Sequence, residues 1–268
     1  MLKEEGKDIP LVTTLHGTDI TLVGQHPSYK HAVEFSINQS DTITSVSESL
    51  KKDTLQIFNI KKEIKVITNF IDNTEFDDFN ECSRRQFATD DEKILIHVSN
   101  LRPVKRIEDV LEIFKDVEKH VKSKLIIIGE GPDMEKVNGF LEENPNLINK
   151  IRLLGKVNDL YRILQLSDVF LLPSEQESFG LAALEAMAAH TPVISSKVSS
   201  LPEAAGPASW LVDPEEPAEI ATGIERILSD DTYRHNMIKT GLEYAQNFKG
   251  EVVTEEMMDL YIGLLEAV

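Results

Sequence analysis

Short apolar runs alternate along this chain with stretches of helical periodicity, and that alternation specifies parallel βαβ units. Residues 9–15, 42–46 and 64–67 read as strands, separated by helices over 28–38 and 48–58. Residues 72–92 are dominated by polar side chains without a period and read as a connection. A second series follows, with strands over 93–98, 124–129, 151–154, 169–172 and 191–195. Helices over 107–121, 133–143 and 159–165 lie between them, and an Ala- and Leu-rich helix follows Gly180. The first of these is amphipathic, with Val110, Leu111, Phe114 and Val117 on one face. Helices over 217–228, 232–247 and 251–266 close the chain. The fold class is therefore α/β.

Composition narrows the functional classes. The 268 residues carry 46 acidic against 28 basic side chains, a net charge of −18, which disfavours general nucleic-acid binding. A phosphate-bearing ligand needs a local basic pocket within that repulsive field. The single Cys82 excludes an internal disulfide framework and suits a reducing compartment. No run approaches the ~18 apolar residues of a membrane span, and the first residues are charged rather than signal-like. A cytoplasmic protein without stable membrane insertion is expected.

The chemistry concentrates where the strand Asp168-Val169-Phe170-Leu171-Leu172-Pro173 hands over to the helix Leu181-Ala182-Ala183-Leu184-Glu185-Ala186-Met187. Glu177-Ser178-Phe179-Gly180 lies between them, at a strand's carboxyl end and a helix's amino end. Ligands bind there in open α/β sheets, and free N–H groups with a positive helix end favour phosphate. Glu177 and Glu185, if both helical, would stand ~12 Å apart. That exceeds the roughly 5–9.5 Å of a glycosidase pair, so two-carboxylate hydrolysis is disfavoured. Glu175 reads as a water-facing residue favouring the helix dipole. Arg102, Lys105 and Arg106 follow the strand ending at Val98 and suit a diphosphate, Arg bidentately and Lys as a point charge. Gly129-Glu130-Gly131-Pro132 lacks the Gly-x-Gly-x-x-Gly spacing, so a nicotinamide cofactor is not expected. His26, His31, His97, His120, His190 and His235 are scattered without metal-ligand spacing, and no Asp-x-Asp motif is present. No metal and no cofactor are expected.

The segment 177–185 resembles the Glu-x7-Glu signature of the retaining glycosyltransferases of family 4, which have the GT-B fold of two Rossmann-like domains. Further matches are Leu15-His16-Gly17-Thr18-Asp19-Ile20-Thr21, Val46-Ser47-Glu48, Asn69-Phe70-Ile71-Asp72, Val98-Ser99-Asn100-Leu101-Arg102-Pro103-Val104-Lys105-Arg106 and Ile128-Gly129-Glu130-Gly131-Pro132. The combination looks most like the branch that joins N-acetylglucosamine to L-malate in bacillithiol biosynthesis. By this resemblance the domains fall at 1–75 on the acceptor side, a linker over 76–92, and a nucleotide-sugar domain over 93–249. The helix 250–268 is expected to pack back toward the first domain.

The resemblance also implies roles. Glu185 accepts hydrogen bonds from the nucleotide ribose, and Glu177 holds hydroxyls of the transferred sugar. Ser178, Phe179, Gly180 and Leu181 line the sugar and phosphates, chiefly through backbone N–H groups. Gly155, Lys156 and Val157 grip the base, and Gly129 lines the cleft. Lys105 matches the family's diphosphate lysine. The usual arginine falls at Asn100; this chain carries Arg102 instead, for which both the phosphates and the acceptor stay open as partners. His16 corresponds to a histidine near the transferred sugar. His16, Glu177, Arg102 and Lys105 form the implied catalytic set of a metal-independent reaction that retains configuration. The partners are then a UDP-sugar, with UDP-N-acetylglucosamine expected, and a small hydroxyl acceptor, with L-malate expected.

Two departures qualify the match. Ser199 and Ser200 stand where members usually carry two glycines, which restricts the backbone there. The family's Gly-rich loop near the donor phosphates has no counterpart, so the amino-terminal domain is expected to be incomplete and the chain a fragment. Exposed strand edges would then favour association, which leaves a homo-oligomer open. The alternative function is an inactive remnant that binds nucleotide or a partner subunit. A GT-B phosphorylase is disfavoured, since no pyridoxal-phosphate lysine site is present.

Overall fold

The computed structural model describes residues 9–72 and 81–266. The charged first residues, positions 76–80 of the expected linker and the Cys82 side chain lie outside that description. The chain forms two compact units. One comprises Met1–Ile71, Glu177–Phe179 and Phe248–Val268; the other comprises Asp72–Gln176 and Gly180–Asn247.

In the first unit, β1 (Val12–Leu15), β2 (Thr42–Ser45) and β3 (Ile64–Val66) form a parallel sheet in that order. Helix α1 (Pro27–Gln39) links β1 to β2, and α2 (Glu48–Ile57) links β2 to β3. Pro27 starts α1, a position that needs no N–H. Ser47 caps α2 by accepting from the Leu50 N–H at 3.1 Å. The core holds Leu15, Ile20, Ile37, Ile43, Leu50 and Ile64, each fully or nearly fully buried. A π-helical turn over Asp19–Val23, which periodicity did not announce, follows β1. The last helix, α10 (Gly250–Glu266), belongs to this unit. Its entry is fixed by an isolated parallel bridge between Ile71 and Lys249, with the Ile71 N–H donating to the Phe248 carbonyl at 2.9 Å.

The second unit carries a six-stranded parallel sheet of order β6-β5-β4-β7-β8-β9. Its strands are β4 (Lys93–Val98), β5 (Ser123–Ile128), β6 (Ile151–Gly155), β7 (Val169–Leu172), β8 (Val193–Ser196) and β9 (Trp210–Val212). Helices α3 (Ile107–Val117), α4 (Met134–Glu143), α5 (Leu160–Gln165), α6 (Leu181–Ala188), α7 (Leu201–Ala205), α8 (Pro217–Ser229) and α9 (Asp231–Ala245) connect or cover them. Val110, Leu111, Phe114 and Val117 of α3 are all buried, in one cluster with Leu95, Leu125 and Ile194. The α3 helix stops at Val117 rather than Val121, although the Val121 N–H still reaches the Val117 carbonyl at 2.9 Å. The polar connection contains a 3-10 helix over Glu81–Gln86. Both α7 and β9 went unannounced, because five and three residues are too few to establish a period.

The chain leaves β4 on one side through β5 and β6, then returns to its other side for β7, β8 and β9. This reversal makes β4 and β7 the topological switch point, where the crevice beyond the carboxyl ends receives ligands.

Candidate functional site

Two loops leave the switch point, residues 99–106 after β4 and residues 173–180 after β7. The Glu175 N–H donates to the Val104 carbonyl at 2.8 Å, which joins them. Neighbouring loops support the first. The Ser99 N–H donates to the Ile128 carbonyl at 3.0 Å, the Gly129 N–H to the Gly155 carbonyl at 2.8 Å, and the Asp133 N–H to the Leu101 carbonyl at 2.9 Å. The ends of β4, β5 and β6 thus form a continuous backbone ledge. Gly129 makes it feasible: its φ is +123°, and a Cβ there would stand 1.7 Å from the Ser99 carbonyl oxygen.

His97 anchors the ledge from below. It is fully buried, with Nδ1 2.9 Å from the Leu171 carbonyl and Nε2 2.8 Å from Ser99 Oγ. A carbonyl only accepts, so Nδ1 carries the proton and Nε2 accepts the Ser99 hydroxyl. Ser99 Oγ in turn accepts the Leu101 N–H at 3.2 Å. Burial pushes the His97 pKa down to about 4, and the nearby Lys105 charge adds to the effect. The ring is therefore a neutral clamp between β7 and the loop that carries Arg102 and Lys105.

The three basic residues of that loop separate. Arg102 is exposed and Lys105 half-buried. Arg106, grouped with them on sequence, instead holds three carboxylates: Asp109, Glu175 at 2.7 Å and Glu215 at 2.8 Å. Its backbone is left-handed, with φ +54°, at the N-cap of α3. Glu175 is exposed, as its water-facing reading expected, and also pairs with Arg106, because the link to Val104 brings its loop there.

Gly180, with φ +101°, is the N-cap of α6, and Leu181 is that helix's first residue. Glu177 therefore precedes the helix, and the ~12 Å separation of a shared helix does not apply to it. Glu185 lies within α6, half-buried, and burial pushes its carboxyl pKa up. Lys156 is exposed and lies 3.9 Å from Glu130, while Val157 is half-buried. Ser199 takes φ +58°, so one of the serines standing for glycine keeps a glycine-like backbone. Ser200 is fully buried.

Four residues of the sequence-based set fall in the first unit: His16, Glu177, Ser178 and Phe179. The Ser178 carbonyl accepts the Ser47 hydroxyl at 2.8 Å, so the α2 cap also fixes this segment. Gly17, next to the exposed His16, packs against Ser178 so closely that a Cβ would stand 1.7 Å from its Oγ. The Phe179 and Phe248 rings lie 5.8 Å apart, tilted by 60°. Arg102, Lys105, Gly129, Gly155, Lys156, Val157, Gly180, Leu181 and Glu185 belong to the second unit. Sequence reasoning missed Ser47, Ser99 and His97 as supports. Ser47 and Ser99 stood inside the matched motifs, but only a fold reveals their partners.

Among the described residues, no three or more His, Cys, Asp or Glu side chains gather to hold a metal. No described helix is long and apolar enough to cross a membrane.

Residues 78–244 match the model of the glycosyl transferases group 1, and residues 1–75 that of glycosyltransferase family 4. Among curated proteins, the N-acetyl-alpha-D-glucosaminyl L-malate synthase of Bacillus anthracis is 35% identical over 265 residues, 97% of this chain and 69% of that protein. An uncharacterized glycosyltransferase of Methanocaldococcus jannaschii is 32% identical over 94% of this chain and 69% of its own length. Among solved structures, the sucrose-phosphate synthase of Thermosynechococcus elongatus superposes with a TM-score of 0.85 at 23% identity, covering 99% of this chain and 70% of that one. The Anabaena protein HepE, solved with UDP and glucose, gives 0.85 at 19% identity, covering 94% and 71%.

Proposed function

The chain belongs to the group 1 and family 4 glycosyltransferases and has the GT-B fold, and from that premise we propose that it transfers N-acetylglucosamine from UDP-N-acetylglucosamine to L-malate, retaining the anomeric configuration and using no metal. The observation that carries this reading is the switch-point crevice, where the ledge bearing Arg102 and Lys105 is bonded to the loop that leads into α6 and Glu185. The Bacillus anthracis relative, named for the same transfer, supports the choice of substrates.

In this reading Glu185 accepts the ribose hydroxyls. Being half-buried, it meets them with little competition from water, and hydrogen bonds to a charged acceptor are the stronger kind. Gly155, Lys156 and Val157 hold the base at the end of β6. Arg102, Lys105 and backbone N–H groups at the start of α6, at Gly180 and Leu181, take the diphosphate. Arg106 is occupied by its three carboxylates, so it drops out of the donor set. As the sugar bond breaks, negative charge grows on the leaving diphosphate, and these fixed donors stabilise it without reorganising. Glu177 holds the sugar hydroxyls, with Ser178 and Phe179 presenting backbone beside it, and His16 serves the transferred sugar on the acceptor side. The malate hydroxyl attacks from the face the diphosphate leaves, and a donor phosphate oxygen takes its proton.

Calorimetry with UDP and a turnover assay with UDP-N-acetylglucosamine and malate test the proposal. UDP binds the native chain, and Glu185→Gln weakens it by about 10- to 100-fold, the loss of one or two charge-assisted hydrogen bonds. No measurable UDP binding would overturn the site assignment. UDP binding without turnover would favour a nucleotide-binding remnant.

A further inference from the structure

A second charged feature lies at the opposite end of the sheet in the second unit. Asp168 immediately precedes β7 and Pro192 immediately precedes β8, so the cavity they line opens at the amino ends of strands. The donor loops occupy the carboxyl ends. The cavity encloses about 390 Å³. Arg84 from the 3-10 helix, Arg162 from α5 and Arg234 from the first turn of α9 line it, and Leu166, Pro192 and Ile238 give it an apolar wall.

The cations outnumber the acceptors. Asp168 takes Arg84 at 2.8 Å, Arg234 at 3.4 Å and Lys93 at 3.8 Å, and its Oδ2 also accepts the Ile94 N–H at 2.8 Å. Backbone carbonyls near the end of α5 are already claimed. Leu166 accepts Arg84, Leu164 accepts Thr191 Oγ1 at 2.6 Å, and Ile163 accepts Ser167 Oγ at 2.8 Å. Arg162 is left over: its Nε is buried and has no hydrogen-bond partner among the described residues. Among the described residues, three arginines thus line the cavity with one carboxylate, a surplus of two positive charges in a chain whose net charge is −18.

If the cluster served only to seat Asp168 and cap α5, Arg162 would be superfluous and its buried Nε a pure desolvation loss. An oxyanion removes the loss. Guanidinium forks match phosphate oxygens bidentately, and converging Arg side chains are how proteins recognise that geometry. We propose that this cavity is a binding site for a small phosphate-class anion, separate from the donor site and centred on Arg162.

Thermal unfolding with pyrophosphate or orthophosphate, in a protein saturated with UDP, tests the site. Saturation keeps the probe from the donor diphosphate position. Pyrophosphate at a hundred-fold excess over its Kd raises the melting temperature by about 5 °C, and the shift shrinks with added salt. Orthophosphate alone giving that shift identifies a single phosphoryl group as the ligand; pyrophosphate alone identifies a diphosphate. Either supports the proposal. Arg162→Met weakens the anion at least tenfold by calorimetry and leaves UDP affinity unchanged. Should that variant fail to fold, Arg234→Gln provides the same comparison, since Asp168 keeps Arg84 and Lys93. The proposal is overturned if neither anion shifts the UDP-saturated protein, or if the folded variant binds the anion as tightly as the native chain.

Discussion

Acidification reads out the clamp at His97. In the folded state its pKa is about 4, against 6.5 for an unperturbed histidine. The depressed value means that the unfolded chain binds the proton more readily. Stability is therefore full above pH 6.5 and falls as the pH drops toward 4. For those two values the loss between pH 7.5 and pH 5 is about 2 kcal/mol, because the unfolded form is then mostly protonated and the folded form is not. The structural event is specific. A proton on Nε2 removes the acceptor for the Ser99 hydroxyl and leaves a charge in a fully buried position. Urea unfolding followed by the fluorescence of Trp210, the sole tryptophan and a member of the second unit, measures the free energy at each pH. Other groups also titrate. Glu185, with its pKa raised by burial, works in the opposite sense, adding stability as the pH falls. The comparison with His97→Gln cancels such groups, and a glutamine can both donate to Leu171 and accept from Ser99. The native protein should lose about 2 kcal/mol more than the variant over this interval. A difference below about 0.5 kcal/mol would refute the neutral-clamp reasoning.

Three substitutions probe the backbone. Gly129→Ala forces a Cβ to within 1.7 Å of a carbonyl oxygen at a φ of +123°; it should destabilise the second unit by about 4 kcal/mol or more in urea, and a loss under 1 kcal/mol would mean the ledge relaxes freely. Gly17→Ala meets Ser178 in the same way, 1.7 Å from Oγ and 2.5 Å from Cβ. If the second unit carries UDP binding as proposed, turnover should fall at least tenfold while UDP affinity stays within about twofold; equal loss of both would argue against that division. Ser199→Gly relieves a side chain at φ +58°, and the gain of about 1 kcal/mol is partly offset by a floppier unfolded chain. A net gain near 0.5 kcal/mol is expected, and a net loss would show that the contacts of Ser199 outweigh its backbone strain.

Much of the fold was legible because it rests on periodicity. The face of Val110, Leu111, Phe114 and Val117 predicted a buried stripe, and all four are buried. The apolar run over 169–172 read as a strand, and each of its residues is buried. Elements governed by other forces were not legible. The helix read as following Gly180 does begin at Leu181, but the left-handed backbone of Gly180 that starts it was not visible in composition. The basic cluster looked like one pocket, yet Arg106 finds Glu175 and Glu215, 69 and 109 residues further along the chain. His97 was set aside as one histidine among several, since nothing local marks the Leu171 carbonyl as its partner. Charge and apolarity are local properties; pairing across loops is not.

The bridge between Ile71 and Lys249 sets a timetable for biosynthesis. A ribosome makes everything needed for the three-stranded sheet before it begins the six-stranded one. It releases the segment 248–266 only after the second unit has been made. At ~5–20 residues per second that interval lasts roughly 10–35 seconds. Throughout it the Ile71 N–H lacks its Phe248 acceptor, and Phe179, once made, still waits for Phe248. The unit encoded first is therefore the unit completed last. In a nascent chain it is the part that most needs shielding by chaperones, and a stop codon near position 247 would harm the first unit more than the second.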